Sequence, residues 1–184
     1  MSNSFEILMN QLGMPAEMRQ DSALAQADIE RVVVHKISKV WEFHFVFSNI
    51  LPIEIFLELK KGLSEEFSKT GNKAVFEIKA LSQEFSNQLL QSYYREAFSE
   101  GPCASQGFKS LYQNLRVRAE GNQLFIDGSE AIDKEHFKKN HLPNLTKQLE
   151  KFGFPSFNCQ VEKNDMLTQE QEEAFHTENE QIVQ

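Results

Sequence analysis

The sequence has little cysteine, no long apolar run and no glycine-rich phosphate loop. Its two cysteines, Cys103 and Cys159, have no further Cys or His nearby at metal-ligand spacing, so we expect two reduced thiols. No stretch approaches the ~18 apolar residues of a transmembrane helix, and the N-terminus lacks the regions of a signal peptide. We therefore expect a cytoplasmic protein with no membrane segment. The eight glycines are scattered and no Gly-Lys-Ser/Thr follows a predicted strand, which argues against a P-loop nucleotide site.

Basic residues are missing from one part of the chain. The net charge is −8, and residues 166–184 contain five Glu and no Lys or Arg. Residues 1–165 are close to neutral. An acidic average is not typical of a duplex-DNA-binding domain, which is normally basic. We predict that residues 166–184 are an acidic linker or tail, because Gln and Glu dominate and apolar residues are too sparse for a core.

Aromatic residues are abundant, with 16 Phe in 184 residues. Along Val40–Phe47 apolar rings alternate with other side chains, and the rings are those of Trp41, Phe43, Phe45 and Phe47. A period of two is typical of a strand with one buried face. Each ring buries ~150–250 Å² when it is enclosed. We therefore expect all four rings to form the centre of a hydrophobic core.

The pattern of residues 1–80 predicts a first α+β domain. After an N-terminal helix, residues 29–37 are rich in β-branched side chains and lead into the aromatic strand, which predicts an antiparallel hairpin. Pro52 suits the first turn of a helix, and an apolar stripe follows it. Lys73–Ala80 alternates as another strand. The predicted order is α-β-β-α-β.

Residues 83–165 predict a second α+β domain. Residues 85–97 and 104–115 have helical spacing, and two short strands flank Gly121-Asn122. Asp133 is a candidate helix cap, a further helix ends at Gly153, and a last strand follows. The predicted order of this domain is α-β-β-α-α-β.

Two groups of histidines raise the question of a metal site. His35, Glu42 and His44 can meet on the exposed face of the hairpin, while His136 and His141 lie on a predicted helix. Neither group has an evident complete ligand set, so we interpret the first as solvated or interface residues and the second as helix-surface residues. We expect no bound metal, no cofactor and no catalytic residue in this chain.

The order α-β-β-α-α-β is that of a type II KH domain, a fold that can bind single-stranded nucleic acid. Its diagnostic Gly-x-x-Gly loop lets the backbone approach phosphates, but the corresponding junction, residues 138–143, has no Gly. Basic side chains nevertheless cluster in this domain. The candidates for nucleic-acid binding are Arg116, Arg118, Lys134, Lys138, Lys139, Lys147 and, one turn on, Lys151.

Three segments together resemble a known family. They are Val40-Trp-Glu-Phe-His-Phe45 followed by Leu51-Pro52, then Leu124-Phe-Ile-Asp-Gly-Ser-Glu-Ala-Ile-Asp-Lys-Glu-His-Phe137, and Leu149-Glu-Lys-Phe-Gly-Phe154. Residues 1–165 resemble the N-terminal region of the PolC-type DNA polymerase III α subunit of low-GC Gram-positive bacteria. The resemblance implies two small domains, NI and NII. It implies that the first is similar to the C-terminal domain of the clamp-loader tau subunit and the second is KH-like. The polymerase and 3′-5′ exonuclease parts of that family lie outside these residues.

Two function classes follow. The first is a non-catalytic module that tethers the polymerase to a replisome protein, with the clamp-loader tau subunit as the first candidate. The second is a KH-like module that binds single-stranded template weakly. The acidic balance and the absent Gly-x-x-Gly loop favour the first class, and the basic residues of the second domain favour the second class.

Overall fold

The computed structural model describes residues 1–99, 112–128 and 134–162. The prediction of a helix over residues 104–111, the cap at Asp133, the thiol of Cys103 and the tail at 166–184 fall outside these residues. No helix in the described ranges is both long and apolar enough to cross a bilayer.

The first half of the chain has the predicted order of elements around one sheet. Two short segments lie between the first helix and the hairpin, a helical turn at Ala16–Arg19 and a 3₁₀ turn at Ser22–Leu24. Its elements are α1 (Asn3–Gln11), α2 (Ala16–Arg19), β1 (Asp28–His35), β2 (Val40–Phe47), α3 (Ile53–Ser68) and β3 (Lys73–Ala80).

The second half also has a three-stranded sheet with helices before it and within it. Its described elements are α4 (Asn87–Ala97), β4 (Val117–Glu120), β5 (Gln123–Asp127), α5 (Lys134–Asn140), α6 (Leu142–Lys151) and β6 (Asn158–Glu162).

The two sheets have the same topology. In each, the second strand of a hairpin is central, antiparallel to the first strand and parallel to the third. The parallel partner is reached through a helical crossover, as parallel pairing requires. The α+β class with two small domains is confirmed, and the exact boundaries at 80 and 83 stay a prediction.

Helix ends follow the local sequence. The Ser2 hydroxyl accepts a hydrogen bond from the Phe5 amide at the start of α1, and the Ser86 hydroxyl accepts one from the Leu89 amide at the start of α4. These caps satisfy amide groups that have no partner within the helix. The Ser86 cap marks the start of α4, which is the first helix of the second half.

The aromatic strand β2 is the centre of the first core, with one correction. Phe43, Phe45 and Phe47 are buried as predicted. Trp41 is only partly buried, because it lies at the end of the sheet, where its ring packs 5.4 Å from that of Phe67. Three of the four rings thus form the core, and the fourth reaches its margin.

An aromatic joint connects the two halves. The Phe56 ring of α3 lies 5.0 Å from the ring of Tyr93 in α4 and 4.9 Å from that of Phe152 after α6. The Tyr93 hydroxyl donates a 3.0 Å hydrogen bond to the carbonyl oxygen of Leu51. Buried residues of both halves belong to one hydrophobic cluster, so the two sheets share one continuous core.

Gly153 is a close approach in this joint. Its φ is +100°, and an added Cβ would lie 3.2 Å from Ile78 Cγ2 and 3.3 Å from Ala80 Cβ. We predict that Gly153→Ala lowers the free energy of unfolding by about 1–3 kcal/mol more than Gly121→Ala does, because it adds crowding to backbone strain. Gly121 is the matched control, since its φ is +57° but nothing lies within 4 Å of the added Cβ. Urea unfolding measures both, and equal losses would contradict close packing at Gly153.

Candidate functional site

Arg116 and Arg118 lie on the open face of the second sheet. Val117, between them, points into the core, so both arginines point outward. The Arg118 guanidinium lies 4.1 Å above the Phe125 ring, a cation–π contact. It also pairs with Glu120 and, at 3.7 Å, with Glu162. The charge of Arg118 is therefore largely compensated within the sheet.

The candidate lysines lie on α5 and α6, against the other face of that sheet. Leu145 and Leu149 of α6 are buried in the same core as Leu124 and Ile126 of β5, whose neighbour Phe125 points to the open face. The structure thus separates the arginines from the lysines by the thickness of the sheet. The seven basic candidates do not form one surface.

The lysines differ in their partners. Lys138 pairs with Glu135 at 3.5 Å, and Lys151 reaches across the joint to Glu77 at 3.4 Å. Lys139 and Lys147 are exposed and have no carboxylate partner among the described residues. Lys134, the remaining lysine of the set, is half-buried at the start of α5. Lys139 and Lys147 are therefore the most available cations of the set.

His141 occupies the junction where a KH domain has its Gly-x-x-Gly loop. It is 6% exposed, which corrects the expectation of a helix-surface residue. Because α5 ends at Asn140 and α6 begins at Leu142, one residue makes the turn and its ring points inward. The ring packs 5.0 Å from that of Tyr112. The buried His141 ring fills the space at this junction. The junction therefore has no open loop for a phosphate backbone to approach.

The buried His141 predicts a pH dependence of stability. Burial, and secondarily the charge of His136, lowers the pKa of His141. In the unfolded chain the His141 side chain has a pKa of ~6.5, so on acidification it binds a proton before the folded protein does. The free energy of unfolding is therefore at its full value above that pH and falls below it. We expect His141→Phe to show a smaller loss of unfolding free energy on acidification than wild type, by chemical denaturation across this range. His35→Gln is the control that keeps the loss, and an unchanged slope in His141→Phe would contradict the assignment.

On the outer face of the first sheet, the predicted cluster of His35, Glu42 and His44 does assemble. The Nε2 atom of His35 lies 3.2 Å from Glu42 Oε2, and the Nε2 atom of His44 lies 2.8 Å from Glu42 Oε1. The hydrogen bond from His35, followed by contributions from His44 and opposed by desolvation, lowers the pKa of Glu42. These residues form a small network of charges and hydrogen bonds.

Glu77 is a fourth member of this network, which the sequence pattern did not indicate. Glu77 Oε2 lies 3.7 Å from His44 Nδ1, and these two residues are directly opposite in the parallel pair β2–β3. Oxygen and nitrogen atoms of Glu42, His44 and Glu77 lie within 4.8 Å of one another, the spacing of a possible metal triad. Two cationic side chains already lie beside these three residues. Arg31 is 3.2 Å from His44, and Lys151 pairs with Glu77. We retain the interpretation of interface or solvated residues.

An apolar edge extends from the first sheet. Val32 and Val34 are 38% and 41% exposed, and Ile37 at the hairpin turn is fully exposed. Among the described strands β1 pairs with β2 alone, so its other edge has backbone groups available for pairing. We name Val32, Val34 and Ile37 the apolar edge. An unpaired strand edge of this kind is a template on which a further strand can pair.

Comparisons with known proteins identify the family of the chain. Residues 4–78 match the family model described as DNA polymerase III polC-type N-terminus I, and residues 92–184 match DNA polymerase III polC-type N-terminus II. No solved structure matches it.

Curated relatives agree with the family models. The chain is 95% identical over 179 residues to a protein named DNA polymerase III PolC-type from Streptococcus pneumoniae serotype 2, covering 97% of the chain and 12% of that protein. The proteins of the same name from Streptococcus sanguinis and Streptococcus suis are 63% and 45% identical over all 184 residues, which is 13% of each. The chain spans about an eighth of the length of these relatives. With both N-terminal family models matched in order, the chain belongs to the PolC-type DNA polymerase III family, as its N-terminal region.

Proposed function

We propose that this chain is the non-catalytic N-terminal module of a cytoplasmic, PolC-type replicative DNA polymerase that also has 3′-5′ exonuclease activity. Its role is to tether the polymerase to another replisome protein during chromosomal replication. The first candidate partner is the clamp-loader tau subunit, because the family resemblance implies that the first half is similar to the C-terminal domain of tau.

The observation that carries this proposal is the apolar edge. Val32 and Val34 are on the same side of the sheet as Phe43 and Trp41, with which they pair across β1 and β2. Their exposure therefore extends the hydrophobic core to the surface, beside a half-buried tryptophan, and Trp is enriched among the residues that dominate protein interfaces. An unpaired strand edge also offers backbone hydrogen bonds to an incoming strand.

The electrostatics support a protein partner over a nucleic acid. A strong phosphate-binding surface needs several uncompensated cations on one face. Here Arg118 and Lys138 have carboxylate partners, and the arginines and lysines lie on different faces of the second sheet. The remaining cations are too few for tight binding.

Capture of the purified tau subunit by the immobilised chain tests the proposal. We expect the wild-type chain to retain it and the double variant Val32→Lys/Val34→Lys to lose it, by about tenfold or more in affinity, since charges would enter the centre of the contact. Leu81→Lys is the control, because Leu81 is 56% exposed and directly follows β3, which lies on the other side of β2 from β1. Retention by all three chains would show that the apolar edge is not the contact, and retention by none would reject tau as the partner.

A second candidate function is weak binding of single-stranded nucleic acid, favoured by the exposed Lys139 and Lys147. We predict that any such binding is measurable at low salt and falls steeply as salt rises, with a slope of about −0.7 per phosphate contact. Lys138→Glu/Lys139→Glu should abolish it without unfolding the chain, because both side chains are exposed.

A fluorescence titration of labelled single-stranded DNA measures this effect. Lys61→Glu/Lys73→Glu is the matched control, with the same charge change on exposed residues of the first half. If wild type binds nothing at low salt, or if the Lys138/Lys139 variant binds as wild type does, this second function is rejected.

A further inference from the structure

A cleft lies between the two halves, on the side where α3 and α4 begin. It has a volume of about 490 Å³ and is bounded by the segment before the hairpin, the turn after β2 and the first turn of α4. The aromatic joint holds α3 against α4, so the walls of the cleft are fixed relative to each other. The walls of this cleft are distant in the chain, so no local pattern in the sequence indicates it.

The rim of the cleft is acidic. Asp21, Glu54 and Glu84 line it, and none of the described residues that line it is Lys, Arg or His. Asp21 uses one carboxylate oxygen to accept a 2.8 Å hydrogen bond from the Ala23 amide. Glu54 and Glu84 are exposed and have no ion-pair partner among the described residues.

Helix dipoles only partly offset these charges. The 3₁₀ turn, α3 and α4 all begin at the cleft, and an α-helix N-terminus carries about +0.5 of an elementary charge. Two α-helix ends and one three-residue 3₁₀ turn oppose three full negative charges, so the cleft remains negative. The charge of Glu54 also contributes, after burial and Glu96, to raising the pKa of Tyr93 beneath it.

Part of the cleft lining is apolar. Ile53, Phe85 and Leu89 are half-buried, packing against the core on one side and lining the cleft on the other. A simple cation would satisfy the rim but leave this apolar surface in water. A ligand that suits both parts carries a positive charge next to an apolar side chain, as Lys and Arg do with their own methylene stems.

We infer that this cleft docks a partner segment in which Lys or Arg alternates with apolar residues such as Leu or Ile. The inference rests on the proposed tethering function and adds the chemistry of a second contact, separate from the apolar edge. Charge complementarity at such a rim raises the association rate and rejects acidic partners. A nucleic acid is repelled by the same three carboxylates.

An array of random 12-residue peptides, probed with the full chain, tests this inference. We expect the bound peptides to be enriched in Lys or Arg beside Leu, Ile or Phe. The double variant Glu54→Lys/Glu84→Lys should bind the best of them at least about tenfold more weakly by fluorescence anisotropy, because two attractions become repulsions. Glu6→Lys/Glu65→Lys is the matched control, since Glu6, like Glu54, lies in the first turn of a helix and neither control residue lines the cleft.

The outcomes separate this inference from the proposed function. Loss of binding in the cleft variant, with the control variant as wild type, supports the cleft. Peptides without basic enrichment, equal binding by the two variants, or no binding to the array each overturn it. Capture of the tau subunit by the cleft variant with the same affinity as by wild type would overturn the cleft as a contact and leave the tethering function standing.

Discussion

Phe45→Ala is expected to unfold the first half of the molecule, or nearly so. The ring is 1% exposed, stacks 5.7 Å from both Phe43 and Phe47, and meets the edge of Phe5 at 5.7 Å. Removing a buried Phe costs ~3–5 kcal/mol, because transfer energy is lost and a cavity remains. A domain of this size has ~5–15 kcal/mol of total stability, so the loss is a large fraction of it. Thermal unfolding followed by circular dichroism measures the change.

Val46→Ala provides the comparison within the same strand. Val46 is the next residue along β2 and points to the outer face, where it is half-buried. We expect its melting temperature to stay close to that of wild type. A Phe45→Ala protein with an unchanged melting temperature would contradict the assignment of the buried face.

Phe56→Ala is expected to weaken the connection between the two halves. The ring is 2% exposed and contacts Phe76 of its own half, together with Tyr93 and Phe152 of the other half. We expect a loss of ~3–5 kcal/mol and the replacement of one cooperative unfolding transition by two. Differential scanning calorimetry distinguishes one transition from two.

Leu57→Ala is the control for the joint. Leu57 is the next residue of α3 and is 41% exposed, so its truncation changes the helix but not the joint. It should unfold in one transition near the wild-type temperature. If Phe56→Ala also unfolds in one transition with little loss of stability, the aromatic contacts do not couple the halves.

Local pattern predicted most of the fold. Alternation in β2 identified the buried faces of Phe43, Phe45 and Phe47, because a strand must turn every second side chain to the same side. It could not show that Trp41 lies at the margin, since exposure there depends on how far α3 reaches along the sheet. The rings of Phe56 and Tyr93 were each on a predicted apolar helix face, but nothing local indicates that these faces meet.

The candidate site was harder to predict for the same reason. Arg116 and Arg118 share a face because they are two residues apart, which is a local property. Their separation from Lys138 depends on which side of the sheet α5 packs against, which is not local. Glu77 lies opposite His44 only because of the parallel register of β2 and β3. That register depends on the path of the crossover between the two strands, which the local sequence does not define.

We propose that this region joins the polymerase to another replisome protein. Isothermal titration of the purified tau subunit into the full-length parent polymerase, and into the same polymerase lacking residues 1–184, tests it most directly. We expect heat of binding with the full-length protein and a loss of most of the affinity in the truncated one, while primer extension by the free polymerase continues. Equal affinity of tau for both polymerases would contradict it.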